Sequence, residues 1–246
     1  MTRRGAGPLA ALGGSAVLFH VAPAAVAWRR MRCRVVPALS GVGRPGHVAL
    51  TFDDGPDPRS TPVILEALAK LDWKATFFVL GSQVRRAPDL LDEILDQGHE
   101  LGVHGDHHVS HLRRPAPWAV ADVRRARDLV EDRTGQAMRW FRPPYGALAA
   151  SSVVAGRRNG LQTVLWSTWG RDWREEATPG SVVADVTRTW HAGPTVLLHD
   201  SDVTSAAGSW RSAVGALPLL AEAWEHYDVG PLRDHGLPLR GRAALA

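Results

Sequence analysis

The chain has 246 residues, 45% of them hydrophobic and 22% charged, enough to bury the core of one large α/β domain without requiring a second. Its formal charge of +4 and pI near 9.9 would suit a nucleic-acid partner, but the basic residues are scattered in pairs such as Arg85-Arg86 and Arg124-Arg125 on expected helix surfaces. No basic run is interleaved with aromatics, which argues against nucleic acid. Cys33 stands alone, so an intrachain disulfide is excluded and the redox compartment stays open.

Thr2-Arg3-Arg4 precedes a mostly apolar stretch from Pro8 to Trp28, followed by Arg29-Arg30-Met31-Arg32-Cys33-Arg34. About twenty apolar residues could span a bilayer, but Pro8, Gly13, Gly14, His20 and Pro23 interrupt them and arginines flank both sides. Residues 8–28 therefore read either as a membrane anchor or signal, or as an amphipathic helix packed on the domain. An extracytoplasmic or membrane-associated location is favoured over a cytoplasmic one. Pro37 to Gly46 reads as a linker. Residues 1–46 thus form an N-terminal segment, 47–230 the catalytic domain and 231–246 a tail.

From His47 onward, strands and helices alternate. His47-Val48-Ala49-Leu50-Thr51-Phe52 has the content of a buried strand, stopped by Gly55-Pro56. Thr61-Pro62 opens a helix, with Thr61 as its N-cap, that ends near Asp72. Ala75 to Leu80 is the second strand, Pro88 opens a helix capped by Gly98, and Glu100 to Val103 is a short third strand. A long helix covers Trp118 to Thr134, with Gly135 after it. Strands at Arg139–Phe141, Thr163–Trp166 and Thr195–Leu198 follow, separated by helix-like stretches around Ser151–Arg158 and Val182–Trp190. A last helix spans roughly Ser212 to Trp224. This βα alternation calls for a parallel sheet, and six or seven units favour a barrel over an open sheet. No internal repeat stands out.

Barrels of this kind gather their chemistry at the C-terminal ends of the strands. The candidate residues fall there: Asp53 and Asp54 after the first strand, His104, His107, His108 and His111 after the third, Arg142 to Gly146 after the fourth, then Asp172-Trp173, then His199-Asp200. Adjacent carboxylates at a strand end diverge, so one can bind a cation while its neighbour takes a proton. Two histidines four apart with a distant Asp suit Zn²⁺ with positions left open for water and substrate. Spacing alone allows His104 with His108 or His107 with His111. Asp57, Asp106, Asp200 and Asp202 read as turn or capping residues.

Taken together, Thr51-Phe52-Asp53-Asp54-Gly55-Pro56, His104-x-x-x-His108, Arg142-Pro143-Pro144-Tyr145-Gly146, Asp172-Trp173 and Leu197-Leu198-His199-Asp200 resemble the polysaccharide deacetylases of the NodB-homology type, the fourth carbohydrate esterase family. The resemblance runs in chain order from about His47 to Asp200. It implies a distorted (β/α) barrel and a divalent metal on Asp54, His104 and His108, with Zn²⁺ first and Co²⁺ or Ni²⁺ as alternatives. It further implies Asp53 as general base oriented by Arg142, Tyr145 donating its backbone N–H to the oxyanion, and His199 as general acid paired with Asp172. Leu197 would line the acetyl pocket, and Trp169 and Trp173, with Trp166, would stack on sugar faces. The implied reaction is deacetylation of an N-acetylated amino sugar in a peptidoglycan- or chitin-like glycan by a monomer. Cleavage of another non-peptide C–N bond, or of sugar O-acetyl esters, is the alternative, with a non-catalytic glycan-binding module behind it.

Two positions depart from the family pattern. Gly105 stands where a Ser or Thr hydroxyl usually steadies the loop after the first ligand histidine, and Trp169 stands where a further Asp is often found three residues before the Asp-Trp pair. A looser metal loop and a more apolar groove wall are expected.

Overall fold

In the computed structural model of the chain, residues 29–238 are described, and the apolar segment 8–28 lies outside them. Among the described residues, no helix is long and apolar enough to cross a membrane.

Among the described residues, eight parallel strands form one curled sheet: β1 (His47–Asp53), β2 (Thr76–Val79), β3 (Glu100–Val103), β4 (Trp140–Phe141), β5 (Gln162–Thr163), β6 (Thr168–Trp169), β7 (Thr195–His199) and β8 (Asp228–Gly230). Their order is β5-β4-β3-β2-β1-β7-β6. β7 pairs with β1 from Ala49 to Asp53, so β2 and β8 divide the other edge of β1, β2 at Thr51–Asp53 and β8 at His47–Ala49. β5 and β6 are the two edges, and no ladder joins them. The barrel is therefore closed by something other than strand pairing.

The helices are α1 (Arg29–Val35), α2 (Thr61–Lys70), α3 (Gly81–Val84), α4 (Leu90–Asp96), α5 (Ala116–Thr134), α6 (Ala150–Arg158), α7 (Pro179–Thr187) and α8 (Trp210–Ala223). Most lie close to their expected spans. Gly98 and Gly135 adopt left-handed φ of 81° and 67° as helix stops, a conformation glycine reaches without a Cβ clash. α7 begins three residues earlier than expected, because Thr178 and Ser181 form a reciprocal capping box ahead of Val182.

Strand periodicity sorts the core. Val48, Leu50 and Phe52 point outward into the main cluster under the helices, whereas Ala49 points inward with Phe78, Trp140 and Val164. The same alternation sends Val196 and Leu198 out and Leu197 in.

Four sequence expectations need correction. The strand expected at Thr163–Trp166 ends at Thr163: Val164, Leu165 and Trp166 are buried, but they bridge the two sheet edges rather than extend either. Thr61 is the first helical residue rather than the cap, and its hydroxyl donates to Asp200. Residues 37–46, expected as a linker, are packed at the barrel base, where Gly43 N–H donates to Gly193 and Arg44 N–H to His235. The segment after residue 230 likewise carries buried Leu232, His235 and Leu237, and the His235 Nδ1 lies 2.8 Å from that of His47.

Candidate active site

The inward half of the strand alternation gathers the site. Trp140 faces inward, so Arg142 does too; Val103 faces outward, so His104 turns in; Leu197 faces inward, so His199 follows. The β1–β7 register sets Asp53 beside His199. Continued alternation would send Asp54 out to the helices, but its φ of 80° turns it back to the same cavity. Such a left-handed non-glycine residue costs on the order of 1–3 kcal/mol, a strain characteristic of functional sites. The cavity measures about 290 Å³.

Asp54, His104 and His108 offer three donor atoms within 4.8 Å of one another. Both Nε2 atoms lie 3.3 Å from Asp54 Oδ1, a buried oxygen with no hydrogen-bond partner among the described residues. His104 Nδ1 is 2.8 Å from the Arg142 carbonyl and must donate to it, which leaves the Nε2 lone pair free. Burial holds the His108 imidazole down at about 4, hence neutral and able to ligate. Burial opposes charge on Asp54, yet the close approach of His104 and the positive charge of His199 keep its carboxyl well below the usual range. One carboxylate and two imidazoles with an orphaned buried oxygen fit a borderline divalent cation. His107 is exposed beside Asp106, and His111 is buried against Phe141 and Trp118, so the alternative pair is not assembled.

Asp53 is placed for a different task. Its Oδ1 accepts from Arg142 Nη1 at 2.7 Å, while Oδ2 lies 3.8 Å from His104 Nε2 and faces the metal-binding donors. Arg142 is wholly buried, its guanidinium also donating to Thr51 Oγ1 and the Leu165 carbonyl and lying 4.0 Å over the Phe78 ring. A cation locked on four sides fixes the carboxylate it holds.

Asp172 clamps one residue with both oxygens. Oδ2 accepts the His199 backbone N–H at 2.7 Å and Oδ1 the ring Nδ1–H at 3.0 Å, which leaves Nε2 for the cavity. Burial alone would depress the His199 pKa, but the Asp172 carboxylate raises it to about 9, making this an imidazolium at neutral pH. Trp173 meets the His199 ring edge-on at 5.4 Å and Trp169 at 5.3 Å, and Trp166 continues the wall 5.9 Å from Trp169. Leu197, the register partner of Trp169, completes the apolar side. Tyr145 holds a left-handed φ of 61° at the mouth, 63% exposed, with its ring centroid 4.2 Å from that of His108.

The supporting loops contain what the sequence reading missed. Thr204 donates to Asp54 Oδ2 from 150 residues away, so the free oxygen of Asp54 is the one facing the histidines. Asp122, fully buried on α5, accepts the Asp106 N–H at 3.0 Å and pairs with Arg125, which also reaches Asp106. Gly105 adopts φ 102°, and a Cβ there would stand 2.9 Å from Asp122 Oδ2. The chain thus steadies its histidine loop with a carboxylate from a helix at the position where a local hydroxyl was expected. Arg85 and Arg125, each half of a basic pair in the sequence, both serve Asp106. Asp200 closes the Asp53–Pro56 turn by accepting from Gly55 N–H at 3.0 Å and Thr61 at 2.6 Å, and burial pushes its carboxyl up to about 7. Only glycine fits at position 55, where a Cβ would fall 2.0 Å from Asp200 Oδ2.

The family model for polysaccharide deacetylase matches residues 40–164. A peptidoglycan-N-acetylglucosamine deacetylase of Bacillus cereus is 37% identical over 155 residues, which cover 62% of this chain and 72% of that protein. A chitooligosaccharide deacetylase of Bradyrhizobium is 38% identical over 199 residues, 75% of this chain and 88% of that one. Against the peptidoglycan-N-acetylglucosamine deacetylase PgdA of Listeria monocytogenes, 34% identical over 172 residues, the match spans only 36% of the relative's length. The solved structure of peptidoglycan deacetylase PdaC from Bacillus subtilis superposes with a TM-score of 0.66 at 30% identity, covering 77% of this chain and 89% of that one. With the model covering more than half of its residues and the site assembled at the strand ends, this chain belongs to the polysaccharide deacetylase family.

Proposed function

We propose that this chain is a metal-dependent deacetylase that hydrolyses the acetamide of N-acetylated amino sugars in a peptidoglycan- or chitin-like glycan, with Zn²⁺ as its native ion. The observation that carries the reading is the pair of oppositely poised groups on either side of one N,N,O donor set: a carboxylate fixed by Arg142 and an imidazolium fixed by Asp172. The names of the relatives support the substrate class, and the apolar tryptophan wall supports a sugar face as the group bound beside the acetyl.

A divalent cation held by Asp54, His104 and His108 would acidify a water and polarise the acetamide carbonyl. Asp53 Oδ2, with its partner oxygen pinned by Arg142, takes the proton as the water oxygen bonds to the carbonyl carbon. The Tyr145 backbone N–H donates to the developing oxyanion. His199 Nε2–H then protonates the sugar nitrogen as the C–N bond breaks, and acetate and a free amine leave. Leu197 receives the acetyl methyl, and Trp169 and Trp173 pack on the sugar. We propose in addition an extracytoplasmic or membrane-associated location, a reading that the apolar stretch 8–28 supports.

The test is acetate release by the full chain from chitin oligomers and from peptidoglycan glycan strands, with chelator and with Zn²⁺ restored. Release that chelation abolishes and Zn²⁺ restores is expected. No release from either glycan with metal bound would overturn the reading and shift it to another C–N bond or to O-acetyl esters, which a substrate panel separates.

A further inference from the structure

The barrel has a seam where β5 and β6 fail to pair, and the residues preceding β1 fill it. Leu165, in the bridge between those edges, donates its N–H to the Leu39 carbonyl at 2.7 Å, and Leu39 packs on the Leu165, Trp166 and Leu197 cluster. Arg32 on α1 is buried, with its Nη2 2.7 Å from the Trp166 carbonyl and its Nε 3.2 Å from Ser40 Oγ. Ser40 in turn donates to Val36 at the end of α1, and Thr195 at the start of β7 donates to the Gly41 carbonyl. One guanidinium therefore ties helix, arm and bridge together.

The bridge is also part of the active site. The Leu165 carbonyl accepts from Arg142 Nη2 at 3.0 Å, and Arg142 Nη1 holds Asp53. The Trp166 ring lines the cavity and lies 5.7 Å from the Arg142 guanidinium. A shift of residues 165–166 would move both the anchor of the general base and the wall beside the substrate.

We infer that residues 29–41 are a built-in closing piece of the barrel, and that Arg32 is a positioning residue for the reaction, acting through the 165–166 backbone on Arg142 and Trp166. The inference rests on the deacetylase reading only for its kinetic readout. A segment that composition assigns to an anchor and linker thus sets the geometry of the base, and any tether on its N-terminal side would act on the catalytic wall.

The test uses the full chain with Arg32→Ala and Arg32→Lys, the latter keeping the charge without the fork that reaches two acceptors. Both variants should retain zinc at the wild-type stoichiometry while kcat/KM falls by up to about 10²-fold, the scale of a misplacement near 1 Å. Free guanidinium should restore part of the activity of Arg32→Ala and none in the wild type. Chains labelled with 5-fluorotryptophan, with the Trp166 resonance assigned through Trp166→Phe, should show that resonance shifted or broadened in both variants. Wild-type kcat/KM and an unmoved Trp166 resonance, with only melting temperature lowered, would overturn the role and leave the arm as plain structure. If Arg32→Ala does not fold, Arg32→Gln, which keeps one donor, carries the same readouts. Should the wild type release no acetate, the functional reading fails, and the fluorine shift still decides the inference.

Discussion

Replacing Asp172 with Asn tests the assignment of His199 as the proton donor. The two residues are joined by a charged pair, and Asn can accept from only one of the two N–H groups Asp172 now serves. The other donor then faces an NH₂, a loss of about 1–3 kcal/mol for a buried unmatched group. The larger effect is on titration. His199 is pushed up to about 9 by Asp172, against burial that acts the other way, so removal of the carboxylate lets it fall towards or below its ordinary 6.5. At pH 7 the protonated fraction drops from nearly all to about one in four or less. Turnover of an acetamide at pH 7 should therefore fall at least about fourfold, and further as pH rises, towards the factor of about 10² to 10⁴ that general acid catalysis is worth. An aryl acetate whose phenolate leaves without a proton should lose less than the acetamide at every pH, because it does not call on the donor. Equal losses on both substrates would refute the assignment and make Asp172 a structural clamp. The linkage has a definite sign. A folded-state pKa above the unfolded one stabilises fully below about 6.5 and is lost as pH rises through about 9. The part of the stability gap that comes from that shift, about 3 kcal/mol at most, should therefore be fullest in mild acid and vanish on the alkaline side, where only the cost of the unmatched donor is left, when followed by urea unfolding across pH.

Asp53→Asn should bind Zn²⁺ as the wild type does and lose about 10² to 10⁴ in kcat, since it keeps the contact to Arg142 but cannot take a proton; full activity in a steady-state assay would remove Asp53 from the base role. His104→Ala should abolish stoichiometric zinc by elemental analysis, whereas normal metal content would return the choice to His107 and His111. Asp122→Ala leaves the Asp106 N–H unpaired and removes one of the two carboxylates that hold Arg125 at the histidine loop, so zinc affinity by chelator competition should fall about 10- to 100-fold. An unchanged affinity with a lowered melting temperature would confine Asp122 to the fold.

The sequence shows the barrel and its working end because one rule of strand geometry operates in both. A run such as Val48-Ala49-Leu50-Thr51-Phe52 announces a strand buried on both faces, and whatever polar residue follows it must emerge at the barrel mouth. That is why Asp53, His104, Arg142 and His199 could be named before any coordinates. The same rule misleads at Val164-Leu165-Trp166, which are buried against the inward faces of the strands and against the arm without themselves forming a strand. Three-residue β8 carries no periodic signal at all, and only its pairing with His47–Ala49 makes it a strand.

What stayed hidden is the layer that holds the visible residues in place. Thr204 reaches Asp54 across 150 positions, Arg32 reaches Trp166 across 134, and Asp122 meets Asp106 from one face of a long helix that reads as surface and core. None of these residues has a local pattern to betray it, since each is defined by a partner that only the folded chain supplies. The departure at Gly105 was legible as an anomaly but not as a compensation. A missing hydroxyl suggests a looser loop, and a reader of the chain would discount the metal site accordingly. In the fold, the absence of a side chain at Gly105 is what admits the Asp122 carboxylate, which stands 2.9 Å from where a Cβ would be. The two features are one exchange: the loop gives up a local hydroxyl and gains a buried carboxylate braced by Arg125. A serine placed at position 105 on its own would therefore meet both an unfavourable φ and an occupied space, and should lower zinc affinity in the same chelator competition.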